Sequence, residues 1–258
     1  MTRPRLLLVP YVTELEWSIL GLLEEWAEVA TYDPPGVGEE PLPEGVALAP
    51  DLPEDEATAM FGVWRAATAE RGLEEIERRG WKRCVLVSDG FAHATAIQIG
   101  ERRPEAVAGI ALGHAALSHG REGRRAPVNR EIWEAMTALM RTDRDAFISY
   151  GIAQMTQGGV TEELAQRWLE RIPNRDFVAG VWDVLGRHSE PIAGGLRSLD
   201  RPLLLAEHHG CQVHTEEGYE DIVAAFPEAA TVSCPEACAA STEFADALRK
   251  FCAGIDAS

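Results

Sequence analysis

No hydrophobic run in the 258-residue sequence approaches the roughly 18 residues of a membrane-spanning helix, so no membrane partner is expected. Basic residues are scarce. Lysine and arginine number 24 against 42 aspartates and glutamates, for a net charge of -18. A phosphate backbone would be repelled, and no nucleic-acid partner is expected. Arg121, Arg124 and Arg125 form the one tight basic cluster, which reads as a solvated loop. Cysteine is sparse: five residues, at 84, 211, 234, 238 and 252, odd in number and irregularly spaced. That pattern fits a reducing cytoplasm better than a disulfide framework. No signal peptide is expected either, because residues 6–9 are a strand-length apolar run stopped by Pro10. The expected location is cytoplasmic. There is no internal repeat and no low-complexity tract.

What is present is globular. The hydrophobic fraction is 46%, and the length suffices for one large α/β domain or a core with an insert. Leu6-Leu7-Leu8-Val9 reads as a strand buried on both faces. Helical spacing over 16–26 follows, then a strand over 28–32, the turn Asp33-Pro34-Pro35-Gly36-Val37-Gly38 and an acidic, Pro-rich loop to residue 55. A long helix over 57–79 leads to a strand over 81–87. After a tight turn comes an Ala-rich helix ending before Pro104, then a strand over 107–112. Residues 118–130 are polar and basic. Amphipathic helices are expected over 131–149, with Trp133, Met136 and Met140 on one stripe, and over 161–172, capped by Thr161. A third helical segment, 177–185, carries Trp182. No strand pattern appears between 118 and 198. Strands resume at 202–206 and 231–233 around a helix over 216–226. A last helix is capped by Ser241 and stopped at Gly254. This alternation implies a mostly parallel sheet with helices on both faces.

The most informative stretch is Val85-Leu86-Val87-Ser88-Asp89-Gly90-Phe91-Ala92-His93-Ala94-Thr95-Ala96. Strand, sharp turn and helix are the geometry of a nucleophile elbow, where G-x-S-x-G presents a serine above a sheet. The slots here read Ser88-Asp89-Gly90-Phe91-Ala92, so the serine slot holds Gly90. With the strand at 6–9, the Asp33–Gly38 turn, Pro104-Glu105-Ala106-Val107, Arg201-Pro202-Leu203-Leu204-Leu205 and Phe226-Pro227-Glu228-Ala229, the sequence resembles the α/β-hydrolase superfamily over nearly its whole length. The resemblance implies an α/β-hydrolase core over 1–117 and 199–258, and an all-helical cap over 118–198.

It also implies what is missing. The nucleophile slot is Gly90, the acid slot is His209, and the family's histidine slot falls near Cys238 in a segment without histidine. Acyl transfer needs a nucleophile, a base, an orienting acid and oxyanion donors. The expectation is therefore a divergent member that is not a triad hydrolase. It would bind a small apolar molecule or a protein partner between cap and core, and a homo-oligomer stays open. Tyr11, Phe91, His114, Trp133, Met136 and Trp182 are the candidate ligand-binding residues. Alternatives stay open: a lyase, an isomerase or a cofactor-free acid/base enzyme using His114, His209 or Tyr11; Asp89 or Ser88 as a displaced nucleophile; a thiolate at Cys238 paired with His209. His208, His209, Cys211 and His214, followed by Cys234 and Cys238, match no standard zinc spacing. Gly36-Val37-Gly38 belongs to no dinucleotide fingerprint. Neither a metal nor a cofactor is expected.

Overall fold

The computed structural model describes residues 3–13, 16–116, 130–156, 162–187, 192–209, 211 and 215–256. Arg121, Arg124, Arg125, Thr161, His214 and the expected boundary at 117/118 lie outside them. Six strands form one sheet: β1 (Arg5–Val9), β2 (Glu28–Ala30), β3 (Cys84–Asp89), β4 (Val107–Gly113), β5 (Leu203–His208) and β6 (Ala230–Cys234). All pair in parallel, in the order β2-β1-β3-β4-β5-β6. The connections are helical, as parallel pairing requires. They are α1 (Leu20–Glu24), α2 (Glu54–Arg78), α3 (His93–Arg102), α4 (Arg130–Thr142), α5 (Arg144–Thr156), α6 (Glu162–Arg171), α7 (Arg175–Arg187), α8 (Ala193–Leu199) and α9 (Glu216–Ala225), and α10 (Thr242–Asp256) follows the last strand.

The continuous apolar runs are explained by burial on both faces. Leu7, Val9, Leu86, Ile110, Leu112 and Leu205 point to one side, where α2, α3, α8 and the helices between β4 and β5 pack. Leu6, Leu8, Val85, Val87, Leu204 and Ala206 point to the other, beneath Leu23 of α1 and Phe244, Leu248 and Phe251 of α10. The two sets alternate along each strand, as the strand period of two demands.

Several element bounds differ from the sequence expectation, each for a local reason. The helix expected over 16–26 shrinks to α1, because the Glu16 side chain turns back to accept the Tyr11 and Val12 N–H groups at 2.8 and 3.2 Å. The helix over 131–149 is two helices, since Asp143 Oδ1 accepts the Ala146 N–H at 2.9 Å and starts α5. Gly254 does not stop α10, which runs on to Asp256. Ser241 does cap it, its Oγ accepting the Phe244 N–H at 3.3 Å. The sequence reading gives α8 no bounds of its own within the all-helical segment expected over 118–198, and the expected 198/199 boundary falls inside it. Its Gly194 and Gly195 are poor helix formers. A Cβ on Gly195 would lie 2.4 Å from Ile97, and one on Gly100 would lie 2.8 Å from Leu199. Glycine on both helices is thus the condition for α3 and α8 to pack closely.

Candidate functional site

Strand register assembles the site. Asp89, the last residue of β3, pairs with Gly113, the last of β4, while Leu112 pairs with Leu205 and His208 pairs with Cys234. The carboxyl ends of four neighbouring strands therefore deliver Asp89, His114, His208 and Cys234 to one edge, where open α/β sheets place their ligand crevices. Gly113 has no room for a side chain: a Cβ there would lie 2.7 Å from the Cys238 Cβ and 2.8 Å from Asp89 Oδ1. The next residue, His114, has φ of 47°. A left-handed backbone at a non-glycine residue costs on the order of 1 kcal/mol or more. It folds the imidazole back across the strand ends. There Nδ1 lies 2.5 Å from Asp89 Oδ1, and Nε2 lies 3.0 Å from His208 Nδ1. Asp89 Oδ2 accepts the Ala239 N–H at 3.3 Å.

The elbow is formed as the spacing predicts. Asp89 is extended, at φ -122° and ψ 138°. Gly90 takes the sharp turn at φ 48°, and α3 begins at His93. The turn position is thus Gly90, and Asp89 stands at the end of the strand before it. Ser88 is fully buried, with its Oγ 2.9 Å from Nδ1 of the equally buried His93. Neither lines the cavity described next, so this pair ties β3 to α3.

Above the elbow lies a cavity of about 110 Å³, lined from the sheet side by Tyr11, Glu16, Asp89, Gly90, Phe91, His114, His208, Cys211, Ala237 and Ala239, and from the helices between β4 and β5 by Met136, Gly151 and Trp182. Its walls are aromatic. Phe91 stands 5.4 Å from Tyr11, 5.5 Å from Trp133 and 5.9 Å from Trp182, ring centre to ring centre. Trp133 and Trp182 stack at 4.1 Å and 9°.

The titratable groups gather on the floor. Burial opposes the His114 imidazolium, but the Asp89 charge and hydrogen bond, helped by Cys211, outweigh it and lift His114 to about 10. Burial lifts the Glu16 carboxyl to about 8, against the backbone N–H groups it accepts, with the Asp89 charge adding to the rise. Burial, then Cys234, pushes the Cys238 thiol well above its usual range.

Of the residues expected from sequence, Tyr11, Phe91, His114, Met136, Trp182 and Gly90 meet at this cavity. Trp133 is placed behind Trp182, 2% exposed and off the wall. Cys238 is fully buried beside Asp89 and His114. His209 points elsewhere: its side chain is 71% exposed and lies 3.7 Å from Glu216. The sequence reading did not assign Glu16 to the site, nor Asp89 as the partner of His114. Both Asp89 and His114 follow apolar strand runs, which is the signal that places them at one edge. Nothing in the sequence marks Glu16.

No family model matches the sequence, and no curated protein matches it. Solved structures do. A hydrolase from Oleispira antarctica is similar at a TM-score of 0.71 and 12% identity, over 98% of this chain and 92% of that one. A bromoperoxidase from Bacillus anthracis is similar at 0.71 and 14%, over 97% and 92%. An esterase from Rhodococcus sp. ECU1013 is similar at 0.70 and 17%, over 98% and 91%. The chain has the α/β-hydrolase fold.

Proposed function

We propose that this protein is a non-hydrolytic member of the α/β-hydrolase fold whose cavity binds a small, mostly apolar molecule with one polar end. The observation that carries the reading is Gly90. It takes the elbow turn at φ 48° without a reactive side chain, directly beneath a cavity walled by Tyr11, Phe91, Met136 and Trp182. The Tyr11 and Val12 N–H groups that follow β1, near the family's oxyanion position, are taken by the Glu16 carboxyl. They are not aimed at a tetrahedral intermediate. The cavity, about 110 Å³, is of the order of the roughly 150 Å³ apolar cavity that holds benzene in another protein. That scale points to a ligand of about one aromatic ring. Apolar burial would drive binding at about 25 cal/mol per Å², and the His114–His208 edge would meet the polar end.

A second reading is favoured by one observation. Asp89 and His114 form a close carboxylate–imidazole pair at the cavity floor, an arrangement that suits acid/base chemistry on a bound molecule. It would belong to a lyase, an isomerase or a cofactor-free reaction.

Two measurements on the same protein test the first reading. Short p-nitrophenyl esters should be hydrolysed no faster than background, with no fluorophosphonate adduct. Benzyl alcohol and 4-methylphenol should raise the melting temperature, with a stabilisation that grows as the logarithm of one plus their concentration over Kd. Gly90→Ser should cost about 1–2 kcal/mol, because a Cβ is now forced into the left-handed region, and should create no activity. Ester turnover in the wild type, or robust turnover in Gly90→Ser, would contradict the reading.

A further inference from the structure

The cavity floor carries more donor chemistry than an apolar ligand needs. One donor atom each from His114, His208 and Cys211 lies within 4.8 Å of the other two, and all three residues line the cavity. Two come from the ends of adjacent strands. Cys211 stands three residues after His208, and its thiol is in no disulfide.

We propose that His114, His208 and Cys211 bind a zinc-class divalent ion through two imidazole nitrogens and one thiolate, leaving one coordination position open to the cavity.

Four features support this. The first is the donor set. Two imidazoles and a thiolate suit zinc, whereas calcium and magnesium seek oxygen, which none of the three supplies. The second is spacing. Bonds of about 2.1 Å to nitrogen and about 2.3 Å to sulfur set tetrahedral donors roughly 3.4–3.7 Å apart. The His114–His208 pair, at 3.0 Å, would open by a few tenths of an ångström as the ion replaces the proton between the two rings.

The third is the support behind His114. A metal-bound histidine commonly gives its other ring N–H to a carboxylate, which fixes the tautomer and aims the free nitrogen. Here His114 Nδ1 is held by Asp89 Oδ1 at 2.5 Å, and Asp89 is anchored in turn by the Ala239 N–H. Nε2 is thereby directed at His208 and Cys211. The fourth is the left-handed backbone of His114, φ 47°, a conformation found preferentially at functional sites. Three protein ligands with an open position is the pattern of zinc sites that take up a further ligand, rather than of closed structural ones.

The sequence conceals this set because His114 lies 94 residues from His208, and no spacing rule spans such a gap. The ion does not depend on the binding reading. That reading enters only in what fills the open position: the polar end of the cavity's ligand, as an oxygen, nitrogen or sulfur donor.

Cobalt(II) titration of the chelator-treated full chain tests the proposal. Saturation at one ion per chain is expected, with intense visible d–d bands of tetrahedral type and a near-ultraviolet thiolate-to-cobalt band, both erased by zinc. Cys211→Ser, at a partly exposed position, should remove the thiolate band and weaken binding. Asp89→Asn should keep the spectrum and lower the affinity by about 10–100-fold. His209→Ala, at the exposed neighbour, should change nothing. Failure to saturate would overturn the proposal, as would a thiolate band that survives Cys211→Ser but disappears in Cys238→Ser. Binding of benzyl alcohol to the metal-free protein reports the cavity separately, so either idea can fail alone.

Discussion

Raising the pH from about 4.5 to about 8 destabilises the protein through Glu16, and Glu16→Gln removes that component. The side chain is 2% exposed, and burial lifts its carboxyl from 4.5 to about 8. In the unfolded chain the group loses its proton near 4.5, while the native state keeps it until about 8. Between those values the native state binds more protons, so stability falls as pH rises and levels off above 8. At about 1.4 kcal/mol per unit, the component amounts to roughly 3–5 kcal/mol. Glutamine does not titrate, but it presents an amide donor to one of the Tyr11 and Val12 N–H groups, at a cost of about 1–3 kcal/mol. Glu16→Gln should therefore be the less stable protein at pH 5, and the gap should close or reverse by pH 8. Urea unfolding of both proteins across this range checks it. Parallel stability curves would show that Glu16 is ionised in the fold throughout.

Trp182→Ala is the substitution expected to cost most. The ring stacks on Trp133 at 4.1 Å and meets Phe91 and Phe147 at 5.9 and 5.3 Å. It also forms one wall of the cavity. Truncating a buried aromatic costs about 3–5 kcal/mol, through lost burial and the void left behind. The void should join the existing cavity, so the selectivity for one-ring ligands should relax toward larger ones. Urea denaturation and a ligand-size series measure the two effects. A loss below about 1 kcal/mol would mean that the helices between β4 and β5 hold their place without this cluster.

The fold was legible because its inner strands β1, β3, β4 and β5 are largely buried on both faces. Leu6-Leu7-Leu8-Val9, Val85-Leu86-Val87 and Leu203-Leu204-Leu205 have no polar position to confuse the period, and the elbow turn at Gly90 follows from its neighbours. Where side chains act on the backbone, local pattern failed. Glu16 unwinds the start of the expected first helix, Asp143 splits another in two, and Gly195 permits a helix that propensity argues against. The site was half legible. Tyr11, Phe91, Met136 and Trp182 are large side chains at turns or on an amphipathic stripe, so position alone sends them to the cavity. The polar floor depends on parallel register, with Asp89 opposite Gly113 and His208 opposite Cys234. Such pairings connect residues far apart in the chain. Which of His208 and His209 faces inward is decided by the strand's alternation, and that needs the strand's true end.

The most direct test of the central claim uses Gly151. This residue lines the cavity from α5, and a Cβ added to it would meet nothing within 4 Å. Gly151→Leu should fill the cavity without strain, and better helix propensity should leave the fold as stable or about 0.5–1 kcal/mol more so. Isothermal titration of the metal-free wild type with benzyl alcohol should give saturable one-to-one binding with a negative heat-capacity change. The same titration of Gly151→Leu should give none. Absence of saturable binding in the wild type, or undiminished binding in a folded Gly151→Leu, would contradict the cavity as the functional site.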